Sequence, residues 1–492
     1  MLYDLLISGH TDKKKIILSD TSESLSYSEI DDLCIKIRSV FMQYGLNPGD
    51  RILIYAERKL SVAVIILACI SMGICFIPVP PGISEECVSE IIQSSEPVMI
   101  IGNICTQADV RSVSFDNLMC MAKNTVVQTI PSAVADPIVY ILYTSGSTGT
   151  PKGVVAEESS VEFCIHAINE RLQNTSNDRI LCCLPLSFDY GLYQIFLALS
   201  SGACLVIPPE MPFQKIVTFL AKERITGFPA MPSMLNMLLR TRLLQKVDLS
   251  SIRYITSTGD VFPVSLIQNL KEVIPSAEVL PMYGLTECKR VSIMPIGRYD
   301  KVLAGSCGLP LDDVKVWLED VDSNGIGELV IKGKNVMSGY WHNSAAAEQC
   351  YFLDDTGQRC LRSGDLFKID EDGFLYFISR KKDILKVNGY RIGVAGLENR
   401  LYSAMNDLVD EIGVFGYPDA VAGEKIAVFI ATGNPTDQIT ERLKIVSRNL
   451  SSYSRPHLLY CTAKPLPKNI NGKIDRKKLV EMGLQLDYVK LR

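Results

Sequence analysis

Apolar and polar positions follow two different spacings along the first hundred residues. From Ile30 to Phe41 apolar residues recur every three or four positions, which predicts an amphipathic helix, and Arg51 to Tyr55 predicts a strand. Val62 to Ile77 is apolar, but it is shorter than the roughly 20 residues that a membrane span requires. We expect a buried helix running into a strand there. Helices and strands that alternate in this way predict α/β layering.

The same spacings continue along the rest of the chain. Val161 to Leu172 predicts another helix. Short apolar runs predict strands at Ile138–Leu142, Ile180–Leu186, Leu329–Ile331, Phe374–Ile378, Ile412–Phe415 and Ala427–Ile430. Because 492 residues are too many for one hydrophobic core, we expect two or more domains.

Composition excludes several classes of protein. Hydrophobic residues make up 47% and charged residues 21%, which is ordinary for a globular chain, and a net charge of −5 gives no footprint for nucleic acid. The fifteen cysteines contain no C-x-x-C pair, and the four histidines lie away from the adjacent pair Cys182 and Cys183. We therefore expect no zinc site and no membrane span, and reduced cysteines suit a cytoplasmic location.

One segment combines hydroxyls, glycines and a lysine directly after a predicted strand. It reads Tyr-Thr-Ser-Gly-Ser-Thr-Gly-Thr-Pro-Lys-Gly-Val from Tyr143 to Val154. Hydroxyl and backbone N–H groups donate to phosphate oxygens, and glycine lets the backbone approach them. It is not a Walker loop, because Gly153 follows Lys152. The predicted nucleotide-binding residues here are Thr144, Ser145, Gly146, Ser147, Thr148, Gly149 and Lys152.

A second segment, Met282 to Glu287, places an aromatic ring, a hydroxyl and a carboxylate close together. Tyr283 has a ring to stack on a purine, Thr286 a hydroxyl to donate to a phosphate, and Glu287 a carboxylate for Mg²⁺. Taken alone, the run also fits the capped start of a helix. Combined with the loop at 143–154, it favours a nucleotide site.

These segments resemble the signature blocks of the adenylate-forming superfamily, which includes acyl-CoA synthetases, luciferases and adenylation domains of nonribosomal peptide synthesis. Three later blocks strengthen the resemblance: Arg362–Asp365, Ser379–Asp383 and Pro467–Arg476. The resemblance implies a large N-terminal α/β domain over residues 1–380. It further implies a small mobile α+β domain over 381–492, which would act as a lid.

The resemblance also assigns roles to residues. Asp365 would accept both ribose hydroxyls, Arg380 would reach the ribose, and Lys382 would be the hinge. Lys473 would be the catalytic lysine that arrives for adenylation, when negative charge builds at the α-phosphate. The expected catalytic set is Lys473, Thr286, Glu287 and Lys152.

The acyl site is less sharply defined by the sequence. Asp189 follows an apolar run, so it either forms a structural ion pair or lines a cleft, where amino-acid-activating relatives use it to bind the substrate amine. Arg290 departs from the amino-acid pattern. By its position it would point into the acyl site, where a pairing with Asp189 would remove Asp189 as the partner of a substrate amine. The predicted substrate-binding residues are Asp189, Tyr190, Thr258, Gly259, Met282 and Arg290, and Gly327–Trp341 is interpreted as scaffold.

The expected reaction joins a carboxylic acid to ATP with Mg²⁺, giving an acyl-adenylate and pyrophosphate, followed by transfer to a thiol. Asp189 favours an amino acid loaded onto the phosphopantetheine of a separate acyl or peptidyl carrier protein. Tyr190, Gly191 and Arg290 favour the alternative, an acyl- or aryl-CoA ligase. A third hypothesis is a catalytically silent nucleotide-binding module. Since few residues follow Lys473, a free-standing enzyme is expected.

Overall fold

The computed structural model describes residues 1–103, 109–127, 137–145, 151–208, 212–260, 262–387, 390–419, 423–468, 474–483 and 486–491. Within these ranges helices and strands alternate as an α/β protein, as the sequence predicts. The described strands form four sheets, three within residues 16–380 and one within residues 384–490.

The largest sheet has nine described strands in the order β15-β14-β13-β12-β11-β9-β10-β1-β2. The strands from β13 to β1 in this order are parallel, and β2, β14 and β15 are antiparallel to their neighbours. Their bounds are β1 (Ile16–Ser19), β2 (Ser24–Ser26), β9 (Arg179–Leu181), β10 (Cys204–Val206), β11 (Gly227–Pro229), β12 (Tyr254–Ser257), β13 (Glu278–Tyr283), β14 (Ser292–Ile293) and β15 (Leu309–Pro310).

A six-stranded sheet carries the phosphate-loop segment at one edge, in the order β6-β5-β3-β4-β7-β8. All its pairings are parallel except β7 with β8. Its strands are β3 (Arg51–Tyr55), β4 (Cys75–Val79), β5 (Met99–Ile101), β6 (Arg111–Val113), β7 (Ile138–Ser145) and β8 (Pro151–Glu157).

Two antiparallel-rich sheets follow in the chain. The first orders β16-β17-β19-β18, with β20 paired to β19, and the second orders β22-β21-β24-β25-β26, with β23 paired to β24. The strands are β16 (Lys315–Glu319), β17 (Gly327–Lys332), β18 (Tyr351–Leu353), β19 (Arg359–Ile369), β20 (Leu375–Arg380), β21 (Ile384–Val387), β22 (Tyr390–Gly393), β23 (Glu411–Asp419), β24 (Gly423–Ala431), β25 (Leu458–Thr462) and β26 (Val489–Lys490).

Helices cover the sheets. They are α1 (Tyr27–Gln43), α2 (Leu60–Met72), α3 (Glu85–Ser95), α4 (Phe115–Asn124), α5 (Glu158–Leu172), α6 (Asp189–Ser201), α7 (Phe213–Lys222), α8 (Pro232–Arg240), α9 (Val264–Val273), α10 (Tyr299–Leu303), α11 (Ser344–Ala347), α12 (Val394–Met405), α13 (Thr436–Arg448) and α14 (Arg476–Gly483). Short π- and 3₁₀-helical turns lie at Asp4–Ser8, Leu244–Lys246 and Ser452–Ser454.

Local chemistry explains the first helices. A capping box starts α1, in which the Ser26 side chain accepts from the Glu29 N–H and Glu29 accepts from the Ser26 N–H. The apolar run from Val62 is a helix buried on nearly all sides, and Gly73 ends it with a φ of 69°. The predicted helix and strand in this run are therefore confirmed as α2 and β4. No helix among the described residues is long and apolar enough to cross a membrane.

One sequence prediction of secondary structure was wrong in extent. The strand expected over Ile180–Leu186 ends at Leu181. Beyond it the chain turns toward α6, helped by Pro185, which has no N–H to donate to a sheet. The turn is tight, because a Cβ on Gly191 would lie 2.2 Å from the Pro185 carbonyl oxygen.

Candidate active site

The phosphate-loop segment is a β-hairpin. Thr144 on β7 lies directly opposite Lys152 on β8, and its Oγ1 lies 3.5 Å from the Lys152 carbonyl oxygen. A Cβ on Gly153 would lie 2.7 Å from the Ile141 side chain, so the strand after Lys152 requires glycine. Ser145 ends β7, whereas Gly146, Ser147, Thr148 and Gly149 lie outside the described residues.

The segment Asn335–Trp341 joins this hairpin to the loop that carries Glu287. The Trp341 N–H donates to the Gly153 carbonyl at 2.7 Å, and the Val155 N–H donates to Gly339 at 3.0 Å. On the other side the Met337 N–H donates to the Glu287 carbonyl at 2.9 Å. The block interpreted as scaffold from sequence therefore lies between two predicted parts of the nucleotide site.

Tyr340 in this segment contacts a predicted catalytic residue on each side. Its hydroxyl donates to Oε1 of Glu287 at 2.8 Å, and its ring centroid lies 5.2 Å from Nζ of Lys152. Burial and the neighbouring Glu287 raise the pKa of the Tyr340 hydroxyl, so it remains a donor at neutral pH. Sequence reasoning missed this residue, since the aromatic position in the Gly-Tyr-Trp run gave no signal of a polar partner.

The predicted ribose residues come together across β19 and β20. Asp365 and Arg380 are paired in register, with 3.5 Å between Oδ1 of Asp365 and Nε of Arg380. The Tyr283 hydroxyl donates to Oδ2 of Asp365 at 2.8 Å, a link that the sequence does not reveal. Ribose binding by Asp365 and Arg380 stays a prediction.

Tyr283 is the last residue of β13, and its side chain is largely buried. It packs edge-on against Phe367, with ring centroids 4.6 Å apart, and stacks on Phe377 with centroids 6.4 Å apart. Its proposed stacking on a purine stays a prediction. Thr286 is half-buried in the loop that follows β13, beside Glu287.

The donor set fits magnesium held together with a nucleotide. Within the described ranges, no group of three or more His, Cys, Asp or Glu side chains is arranged to hold a metal ion. Magnesium is usually bound by one or two carboxylates together with substrate phosphates, rather than by a cage of protein ligands. Half-buried Glu287, one oxygen of which is held by Tyr340, matches that requirement.

On the acyl side, the expected pairing of Asp189 with Arg290 was wrong. Asp189 pairs instead with Lys289, whose Nζ lies 3.2 Å from Oδ2 and donates to the Asp189 carbonyl at 2.9 Å. Lys289 is 1% exposed, and its ammonium lies 4.2 Å from the ring centroid of Tyr193. Burial lowers the pKa of Lys289 to about 8, and the charge of Asp189 opposes this shift.

Arg290 is 3% exposed and only partly satisfied by the protein. Its Nη1 donates to Oγ1 of Thr258 at 2.9 Å, and its guanidinium lies 5.5 Å from the Tyr190 ring centroid. Its buried Nε has no hydrogen-bond partner among the described residues. The hydroxyl of Tyr190 shares a 2.7 Å hydrogen bond with Oγ1 of Thr256, and its contact with a substrate stays a prediction.

Two of the remaining predicted acyl-site residues, Gly259 and Met282, lie beside apolar side chains. Gly259 has a φ of +91°, and a Cβ there would lie 3.1 Å from the Met231 methyl and 3.8 Å from the Phe188 ring. Met282 is 7% exposed on β13, opposite Ile293. Thr258 and Gly259 follow β12, so these residues gather at the carboxyl ends of parallel strands, where ligands bind in open α/β sheets.

The predicted hinge and catalytic lysines differ in what the structure shows. Lys382 is exposed, directly after Lys381, whose N–H donates to Gly364 at 2.8 Å and whose Nζ lies 2.6 Å from Glu328. Lys473 lies outside the described residues. Three residues later, Nη2 of Arg476 donates to Glu398 at 2.7 Å.

The chain belongs to the AMP-binding enzyme family, whose family model matches residues 7–341. It is 26% identical over 491 residues to Bacitracin synthase 2 from Bacillus licheniformis, covering 96% of this chain and 18% of that protein. It is 27% identical over 508 residues to 4-coumarate–CoA ligase CCL1 from Humulus lupulus, covering 96% of this chain and 91% of that protein. The chain thus spans less than a fifth of the length of the multidomain synthase.

Solved structures confirm the fold expected from the resemblance. ATP-bound MatB from Rhodopseudomonas palustris superposes with a TM-score of 0.85 over 98% of both chains, at 22% identity. VinN in complex with L-aspartate superposes with a TM-score of 0.68 at 27% identity, covering 77% of this chain and 98% of VinN. The family match and these superpositions agree on an AMP-binding enzyme fold.

Proposed function

We propose that the protein activates an amino acid carrying a second carboxylate as its acyl-adenylate and transfers the acyl group to the phosphopantetheine thiol of a carrier protein. The observation that carries the substrate class is the buried guanidinium of Arg290, whose Nε lacks a partner among the described residues. A buried donor without a partner costs about 1–3 kcal/mol, so a ligand that accepts from it is favoured.

Charge supports an anionic ligand group. Lys289 and Arg290 are both buried, and the ion pair that the structure describes for them is Lys289 with Asp189. The positive charge of Arg290 is thus not balanced by an ion pair that the structure describes, and it lies near the apolar side chains around Gly259. Arginine binds carboxylates through paired N–H donors, so a second carboxylate matches both the charge and the geometry.

Asp189 supports an amine on the same substrate. Its Oδ2 faces Lys289, while its side chain keeps 10% of its surface exposed, which leaves an edge for a substrate ammonium group. VinN, which is 27% identical, was solved with L-aspartate, an amino acid that has both groups.

The nucleotide side supports ATP as the co-substrate. The substrate carboxylate attacks the α-phosphorus, a new P–O bond forms and the bond to pyrophosphate breaks. In this proposal Lys152, Thr286 and Lys473 donate to the phosphates, Asp365 and Arg380 hold the ribose, and the ring of Tyr283 borders the base. Glu287 would hold Mg²⁺, which neutralises phosphate charge. The segment after Arg380 would rotate about Lys382 before thiol transfer.

A second candidate is a CoA ligase for a dicarboxylic acid without an amine. The Lys289–Asp189 ion pair favours it, because Lys289 already supplies a cation to Asp189. The similarity to 4-coumarate–CoA ligase CCL1 supports CoA as the acceptor in this case.

ATP–pyrophosphate exchange across matched acids tests the proposal. The panel contains aspartate, glutamate, β-amino acids with a second carboxylate, their side-chain amides, amine-free dicarboxylic acids, and fatty and aryl monocarboxylic acids. We expect exchange with acids that carry both an amine and a second carboxylate. Exchange with amine-free dicarboxylic acids alone would favour the second candidate, and exchange with monocarboxylic acids alone would contradict both.

A further inference from the structure

We propose that Tyr340 is a positioning residue that keeps Glu287 and Lys152 apart, so that the carboxylate stays available to a divalent cation and the ammonium to phosphate. The inference rests on the nucleotide site of the proposed function. It assigns a role to a residue of Gly327–Trp341, the segment that the sequence analysis interprets as scaffold.

The geometry places Tyr340 in contact with both charges. Its hydroxyl binds Oε1 of Glu287 at 2.8 Å, and its ring lies 5.2 Å from the Lys152 ammonium. Among the described residues, no ion pair joins Lys152 to Glu287, although both contact this one side chain.

The surrounding backbone holds Tyr340 in this place. Tyr340 forms a β-bridge with Val154 on β8, two residues after Lys152, and the Trp341 N–H donates to the Gly153 carbonyl at 2.7 Å. Its ring packs edge-on against Tyr351, with centroids 5.7 Å apart, and the Tyr351 hydroxyl lies 3.4 Å from the Glu287 carbonyl. The ring is thus fixed relative to both the phosphate hairpin and the Glu287 loop.

Removal of the hydroxyl frees the carboxylate to turn toward the ammonium. Opposite charges in a partly buried site attract strongly. A Glu287–Lys152 ion pair would then occupy both the carboxylate that the cation needs and the ammonium that the phosphates need. The hydroxyl therefore preserves cation affinity, while the ring limits the approach of Lys152.

The test uses the full chain and ATP without any acid, so that no adenylate forms. Binding of ATP is measured by calorimetry across a MgCl₂ titration for wild type, Tyr340→Phe and Tyr340→Leu. We expect Tyr340→Phe to raise the Mg²⁺ concentration for half-maximal enhancement of ATP binding about tenfold, as for loss of a hydrogen bond to a charged group. Mg²⁺-free AMP binding should weaken by a smaller factor, because the remaining ring still limits the approach of Lys152 to Glu287. Tyr340→Leu removes the ring as well and is expected to weaken Mg²⁺-free ATP binding too.

Tyr376→Phe is the matched control, because its hydroxyl also donates to a carboxylate, Asp370, at 3.0 Å. It should titrate with Mg²⁺ as wild type does, and thermal unfolding identifies any variant that fails to fold. If wild type responds to Mg²⁺ and Tyr340→Phe shows the same midpoint, the positioning role is wrong while the proposed function stands. If wild type binds no ATP, the proposed function fails, and the inference fails with it.

Discussion

The nucleotide side and the acyl side of the site differ in how far the protein satisfies its own polar groups. On the nucleotide side, Asp365 accepts from Tyr283 and faces Arg380, and Glu287 accepts from Tyr340. On the acyl side, Arg290 is buried with a donor that no described residue accepts from. The carboxylates of the nucleotide side thus have protein partners, whereas a buried donor of the acyl side has none among the described residues.

We expect the largest effect from removing the carboxylate that pairs with Lys289 on the acyl side. Asp189→Asn leaves Lys289 buried without its anion, and breaking a buried pair in this way costs about 3–5 kcal/mol of unfolding free energy. Urea denaturation at pH 7 measures the loss. The double variant Asp189→Asn/Lys289→Met should recover most of it, because both charged groups are then gone.

An exposed pair provides the control for that variant. Asp300, which is 63% exposed, pairs with Arg298, so Asp300→Asn should change stability by less than about 1 kcal/mol. Equal stability of wild type and Asp189→Asn would show that Asp189 is not the counter-ion of Lys289.

On the nucleotide side, we expect a smaller effect from the loss of one hydrogen bond. Tyr283→Phe removes the hydroxyl that Asp365 accepts, but Arg380 still faces the carboxylate. We expect KM for ATP to rise about tenfold with kcat less affected, the size expected for a hydrogen bond to a charged group. Steady-state exchange kinetics measure the split, and an unchanged KM for ATP would contradict this role for the hydroxyl.

A further expected effect is a pH dependence that arises from Lys289 on the acyl side. The folded-state pKa of Lys289 is about 8, below the ordinary lysine value of 10.5, so between these values the folded protein binds fewer protons than the unfolded chain. Stability therefore gains a contribution as pH rises from about 8 toward 10.5. Buried cysteines and tyrosines with raised pKa lower stability over part of this range, so the gain is measured as a difference. In urea denaturation at pH 7, 8, 9 and 10, the unfolding free energy of wild type minus that of Asp189→Asn/Lys289→Met should grow with pH. Parallel pH profiles would contradict it.

The two sides also differ in what the sequence predicts. Local motifs single out Thr144, Lys152, Asp365 and Arg380, and the structure adds that Thr144 lies opposite Lys152 and Asp365 opposite Arg380 on paired strands. The contacts of Tyr340 with Glu287 and of Tyr283 with Asp365 join residues 53 and 82 positions apart. No local spacing encodes such pairs.

The wrong pairing of Asp189 has a similar cause. Lys289 and Arg290 are adjacent cations in a loop without regular spacing, so the sequence cannot show which one turns toward α6. Only packing decides it: a Cβ on Gly284 would lie 2.1 Å from the Lys289 carbonyl oxygen, which shows how tightly this loop folds back.

The central claim is tested most directly by comparing an acid with its side-chain amide as substrates of wild type and of Arg290→Met. ATP–pyrophosphate exchange is measured with aspartate and with asparagine, its uncharged side-chain amide, in wild type and in Arg290→Met, and Arg298→Met serves as an exposed arginine control. If glutamate or a β-amino acid is the better substrate, the same acid–amide pair is made from it. We expect wild type to prefer the acid about a hundredfold or more, and Arg290→Met to lose that preference, as for truncation of one partner in a buried charge pair. An acid preference that persists in Arg290→Met, or that wild type lacks, would contradict a second carboxylate held by Arg290.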